Sequence, residues 1–150
     1  MHYDPDHYNP RETLGYLLTQ ALGALRTGVD RQLADDDLTA IQWQVLVKVG
    51  ALGLRTGAEI AASLNQDPAG VTRMVDRLEA KGLLRRERST TDRRLVEITL
   101  TPEGEARLPH LSARAVAVLN HALRDFSSDD LETLKALLRR IPVNLDEPLP

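Results

Sequence analysis

The sequence predicts a mainly α-helical fold with one small β-hairpin, and three observations carry that prediction. Apolar residues recur at spacings of three and four over most of the 150 positions. The period drops to two only between residues 83 and 100, where LLRRER and LVEITL flank the polar STTDRR. Aromatics are only 3% of the chain, so Leu, Val, Ile and Ala must build the core, as in helical bundles.

Taken in order, residues 1–8 are polar and read as a loose arm. Asn9, Pro10 and Glu12 make a helix start, and Leu14, Leu18, Leu22, Leu25, Val29 and Leu33 continue it. The pattern predicts a helix of about 24 residues ending in the acidic run Asp35–Asp37. Thr39 and Gln42 form a capping box for a second helix that stops at Gly50, with Leu38 and Trp43 placed as a hydrophobic staple. Trp43, the sole tryptophan, reads as a core anchor. The connection ALGLR is expected to supply a small strand at Leu54–Arg55, after which Thr56 and Glu59 cap a short third helix. Asn65 and Gln66 turn the chain into a fourth helix.

That fourth stretch, DPAGVTRMVDRLEAKG from Asp67 to Gly82, organises the rest. Asp67 can accept a free backbone N–H, Pro68 fits the first helical position, and Gly82 lies just past the end. Val71, Met74, Val75 and Leu78 make one apolar stripe. The opposite face carries Ala69, Gly70, Arg73, Asp76, Arg77 and Ala80. Small residues at the tip with arginines behind them suit entry into a DNA major groove. A short helix, a tight turn and a longer polar-faced helix form the helix-turn-helix pattern, and a following hairpin is the wing of its winged variant. Arg93 and Arg94 stand at the hairpin tip, where they could lie along the backbone or enter a minor groove, and Asp92 is placed to pair with an arginine and fix the wing's direction.

Thr101 and Pro102 open the next helix, whose apolar pattern runs to Phe126 with Pro109 inside it as an expected kink or break. Ser127 or Ser128 caps a last helix, which Pro142 is expected to end. The terminal helices are apolar over a broader arc than a winged domain could cover, and a second copy of the chain is the simplest partner. The expected organisation is therefore a winged helix-turn-helix at 36–100 and a helical dimerisation region formed by 1–35 and 101–150.

The net charge of −3 hides an uneven distribution. Residues 73–94 hold eight basic groups against four acidic, whereas 1–40 hold three against seven. Local potential steers a polyanion. The absence of cysteine excludes disulfides, thiol catalysis and thiol redox sensing. No apolar run approaches a bilayer span and the N-terminus lacks a signal-peptide pattern, so no membrane is involved and a cytoplasmic location is expected. No GxSxG, P-loop, HExxH or Gly-rich phosphate turn is present, which argues against an enzyme, and no cofactor is implied. His110 and His121 stand ~16 Å apart along a helix, too far to share an ion. A metal site would have to combine His2 or His7 with another chain.

The strings LTAIQWQVL (38–46), VTRMVDRLEAKGLLRR (71–86) and TDRRLVEITLTPEG (91–104) resemble the multiple-antibiotic-resistance regulator (MarR) family of winged-helix transcription regulators. The resemblance covers about half of the chain. It implies a homodimer acting on a roughly palindromic double-stranded DNA operator, most often as a ligand-responsive repressor. Carried over, recognition-helix contacts fall on Pro68, Ala69, Gly70, Thr72, Arg73 and Arg77, and the wing contact on Arg94 with Asp92 as brace, while Arg93 remains a candidate from its place at the hairpin tip. It also implies a small aromatic or phenolic effector between dimer helices and winged domain, in a crevice lined by the first, second and fifth helices, with Tyr16 and Trp43 as candidate residues. The competing reading is a winged-helix module for protein–protein assembly without DNA. The salt dependence of duplex binding separates the two.

Overall fold

Capping side chains decide where most of the helices begin. The computed structural model describes residues 2–89 and 95–146. Among them are α1 (Leu14–Gln32), α2 (Ala40–Gly50), α3 (Gly57–Leu64), α4 (Pro68–Ala80), β1 (Leu84–Arg88), β2 (Val96–Leu100), α5 (Pro102–Ala122) and α6 (Ser128–Leu145). Short 3-10 turns lie at Pro5–His7, Pro10–Glu12 and Ala34–Asp36. Both halves of the capping box form at Thr39–Gln42, at Thr56–Glu59 and at Ser127–Asp130.

Four expectations need correction. The first helix starts at Leu14, because Thr13 is extended and its hydroxyl oxygen accepts from the Tyr16 N–H at 3.1 Å, while Asn9 caps only a 3-10 turn. The strand expected at Leu54–Arg55 shrinks to one bond, from the Ile98 N–H to the Arg55 carbonyl at 2.7 Å. Gly53, at φ +67°, and the Thr56 cap leave no length there for a ladder. The fifth helix runs unbroken through Pro109 and stops at Ala122, short of Phe126. Glu105 and Pro109 are both exposed, so water can satisfy the carbonyl that proline leaves unbonded. The last helix likewise passes through Pro142 to Leu145, since proline removes one N–H bond yet keeps a helical φ.

The chain divides into two units, Met1–Val118 and Leu119–Pro150. The first holds the core: Leu33, Val45, Leu46, Val49, Ile60, Val71, Val75, Leu78, Leu83, Leu84 and Leu111 are each under 2% exposed. Burying each contributes on the order of 1.5–3 kcal/mol. β1 and β2 pair antiparallel with Leu84 opposite Leu100 and Arg86 opposite Ile98. In the second unit, α6 has no fully buried residue and exposes Leu134, Leu137, Val143 and Leu145. Within the first unit, α1 exposes Leu14, Tyr16, Leu17, Leu18 and Leu22. Among the described residues no helix is long and apolar enough to cross a membrane.

Candidate nucleic-acid interface

Both ends of α4 are fixed by local backbone chemistry. Upstream, Asn65 adopts the left-handed conformation (φ 49°), which asparagine tolerates, and ends α3 with bonds from Asn65 N–H to Ala62 and from Gln66 N–H to Ala61. Asp67 Oδ1 then accepts from the Gly70 N–H at 2.7 Å and caps α4. Downstream, Gly82 (φ 70°) closes the helix in a Schellman motif, its N–H bonding Glu79 and the Leu83 N–H bonding Leu78. Val71, Val75 and Leu78 face the core, with Met74 half-buried, as the stripe predicts.

The outward face of α4 presents Pro68, Ala69, Thr72, Arg73 and Arg77, all exposed, with Gly70 half-buried beneath the Asp67 cap. The Thr72 hydroxyl is turned back onto the Pro68 carbonyl at 2.9 Å. Among the described residues neither the Arg73 nor the Arg77 guanidinium has an ion-pair or hydrogen-bond partner. The acids of the same helix are already occupied. Arg86, on β1, reaches Asp76 Oδ1 at 2.7 Å and Glu79 Oε2 at 2.6 Å, and its own N–H donates to Glu79 Oε1 at 3.1 Å. The face therefore offers two free guanidinium groups beside two carboxylates that share one guanidinium, that of Arg86. Asp92, Arg93 and Arg94 lie outside the described residues.

Three of the basic groups counted in the 73–94 run turn out to be structural. Lys81 pairs with Asp37 at 2.9 Å, Arg85 with Glu87 at 3.0 Å, and Arg86 with Asp76 and Glu79. These pairings join separate elements or neighbouring strand positions, so helical spacing holds no signal for most of them. Among the described residues, the basic groups of this run that remain unpaired are Arg73, Arg77 and the exposed Arg88.

The hairpin is seated on α4 through the junction before α5. Thr101 donates its hydroxyl to the Gly82 carbonyl at 2.5 Å, accepts from the Gly104 N–H at 3.0 Å, and bonds Leu83 through its own N–H. Gly104 packs so closely on the Leu83 carbonyl that a side chain there would collide with it.

A cavity of about 690 Å³ opens between the end of α2, the base of the hairpin and α5. Its wall includes Arg55, Arg85, Thr99, Leu108, Pro109 and Ser112. Neither candidate effector residue lines it: Tyr16 is 40% exposed on α1, and Trp43 packs against the core while its indole N–H donates to Ser112 Oγ at 3.2 Å. The lining comes from the end of α2, the connection after it, the hairpin and α5. Of the histidines, His7 pairs with Asp4 at 2.9 Å, and among the described residues no three His, Asp or Glu groups come together to hold a metal.

Comparison with known proteins agrees with this geometry. The MarR family model matches residues 38–96. The chain is 32% identical to the multiple antibiotic resistance protein MarR of Salmonella typhimurium over 133 residues, 88% of this chain and 90% of that one. A mutant MarR from E. coli complexed with operator DNA superposes with a TM-score of 0.77 at 27% identity, covering 85% of this chain and 92% of that one. Bordetella bronchiseptica BpsR, whose DNA binding is regulated by 6-hydroxynicotinic acid, gives a TM-score of 0.80 at 27% identity, with 90% and 96% covered.

Proposed function

The chain belongs to the MarR family, and on that premise we propose that it is a sequence-specific double-stranded DNA-binding transcriptional regulator, and not an enzyme, working as a homodimeric repressor in the cytoplasm. The carrying observation is the outward face of α4: small residues at the tip, then Arg73 and Arg77 unpaired among the described residues, beside acids held by Arg86. Pro68, Ala69, Gly70 and Thr72 approach the major-groove floor. Arg73 reads a base edge, where a bidentate guanine contact is worth ~1–3 kcal/mol of discrimination. Arg77, a turn further back, takes a phosphate. Arg93 and Arg94 extend the contact to the minor groove, braced by Asp92.

Residues 36–100 serve as the reading domain, and 1–35 with 101–150 join two copies. The exposed leucines of α1 and of α6 support this division, because apolar faces of this kind mark protein–protein contacts. Two copies would set the α4 tips ~34 Å apart, one turn of B-form DNA. The effector is a small aromatic acid or phenol, and the 690 Å³ cavity, walled by Leu108 and Pro109 with Arg55 and Glu105 as charged groups, has room for a single polar-substituted ring.

Selection of bound duplexes from a random pool tests the reading. Arg73→Ala is expected to relax base preference at one position, and Arg94→Ala to weaken binding to most sequences while lowering the salt slope by about one. A wild-type chain that binds no duplex, or binds it without salt dependence, overturns the proposal.

A further inference from the structure

The connection between α1 and α2 carries three successive acids, and each is engaged by a basic group from elsewhere in the first unit. From α5, Arg114 Nη1 reaches Asp36 Oδ2 at 2.7 Å and Arg107 Nη2 reaches Asp36 Oδ1 at 3.3 Å, while Arg114 also touches Asp35 at 3.6 Å. Arg107 also donates to the Asp36 carbonyl at 3.3 Å. These arginines are seven residues apart, two turns on one helix face, so they grip the acid from both sides. From the other direction, Lys81 at the end of α4 holds Asp37 through its carboxylate at 2.9 Å and also through its backbone carbonyl. The grip of α5 and the grip of α4 therefore fall on adjacent residues.

Local backbone bonds define the turn between them. Asp37 stands in the left-handed region (φ 55°, ψ 39°), and its N–H bonds Ala34 while the Leu38 N–H bonds Leu33 at 3.3 Å. Asp36 is largely buried, its side chain 15% exposed. Beside the Lys81–Asp37 link lies a cavity of about 510 Å³, walled by Asp37, Leu38 and Gln42 on one side and by Arg77 and Lys81 on the other. That flank of α4 is therefore not filled by apolar packing, and the polar link spans the gap. α4 rests mainly on α2, α3 and β1.

We propose that the acidic turn Asp35–Asp37 is a second link between α5 and α4, beside the direct seat at Thr101–Gly82 and Gly104–Leu83, and that it limits the angle between the two helices, with Asp36 and Asp37 as positioning residues for DNA reading. The inference rests on the function proposed above. On it, a shift of α5 reaches the recognition helix through Arg114, Asp36, Asp37 and Lys81, with no contact between α5 and the operator required. Asp37 is 91% exposed in its side chain, so its replacement removes the carboxylate half of the link at little cost to folding, whereas replacing Lys81 removes both halves.

The chain has no cysteine, so Ala80→Cys on α4 and Ala106→Cys on α5, both exposed, give a unique pair of spin-label sites. Labelled chain exchanged into an excess of unlabelled chain reports the distance within one protomer. Asp36→Asn, Asp37→Asn and Lys81→Gln are expected to broaden that distance distribution. They are expected to cut the ratio of operator to random-duplex affinity by about 2- to 30-fold with an unchanged salt slope. Lys81→Arg should restore both. A distribution as narrow as wild type in all three variants, measured without DNA, overturns the inference even if the regulator reading stands. A wild-type chain that fails to prefer any duplex overturns the regulator reading, and the distance measurement still decides the role of the turn.

Discussion

Arg86 and Glu79 meet twice: the Arg86 backbone N–H donates to Oε1 at 3.1 Å and its guanidinium to Oε2 at 2.6 Å. One carboxylate thus ties both the strand backbone and a strand side chain to α4, and the same guanidinium takes Asp76 at 2.7 Å. Arg86→Met is expected to weaken operator binding, because Asp76 and Glu79 would then face the phosphates uncompensated. The stability loss should be only about 1 kcal/mol, since the pairs are partly exposed. Salt titration of duplex binding checks the mechanism: an unchanged slope fits a brace, whereas a slope lowered by about one would mean that Arg86 itself contacts phosphate.

Gly104 permits the close seating of α5 on the end of α4. A Cβ at this position would collide with the Leu83 carbonyl, and backbone does not yield as a flexible side chain does. Gly104→Ala is expected to destabilise by about 1–3 kcal/mol, in spite of alanine's better helix propensity. Urea denaturation measures it, and a stabilised variant would show that the junction is not tight.

Asp67 caps the helix proposed to read DNA, through its 2.7 Å bond from the Gly70 N–H. Asp67→Ala should cost about 0.5–2 kcal/mol, and Asp67→Asn much less, because asparagine keeps the acceptor. Equal losses for the two substitutions in thermal unfolding would refute a capping role.

Glu59 predicts a pH dependence. N–H groups of Arg55 and Thr56, each bonded at 2.9 Å, with the Thr56 hydroxyl, hold its carboxyl below the ordinary 4.5. The unfolded chain therefore takes up the proton first as pH falls. The contribution of Glu59 is complete above pH 4.5 and disappears as pH drops through the lower, folded value. The stability difference between wild type and Glu59→Gln should shrink across this acid range, as read by urea midpoints. A difference that stays constant between about pH 6 and about pH 3 would exclude the effect.

What could be read from the residue string was local. Capping at Thr39, Thr56, Asp67 and Ser127, the left-handed stop at Gly82 and the period-two strands depend on neighbours within a few positions, and all of them formed. The apolar stripe of α4 also fixed which face is outward, and so which arginines are available. The misplaced helix bounds arose where two local signals competed. Thr13 capped more effectively than Asn9, and Pro142 proved compatible with a helix it was expected to end.

The sequence by itself determined the elements, their polarity and the outward character of Arg73 and Arg77, because those follow from periodicity and from bonds spanning three or four residues. Tertiary structure alone decided which charges are spent holding the fold together: Arg86 on Glu79, Lys81 on Asp37, Arg107 and Arg114 on Asp36. Most of these partners stand more than 20 positions apart in the chain and meet only once the core has closed, so no spacing rule in the sequence records them.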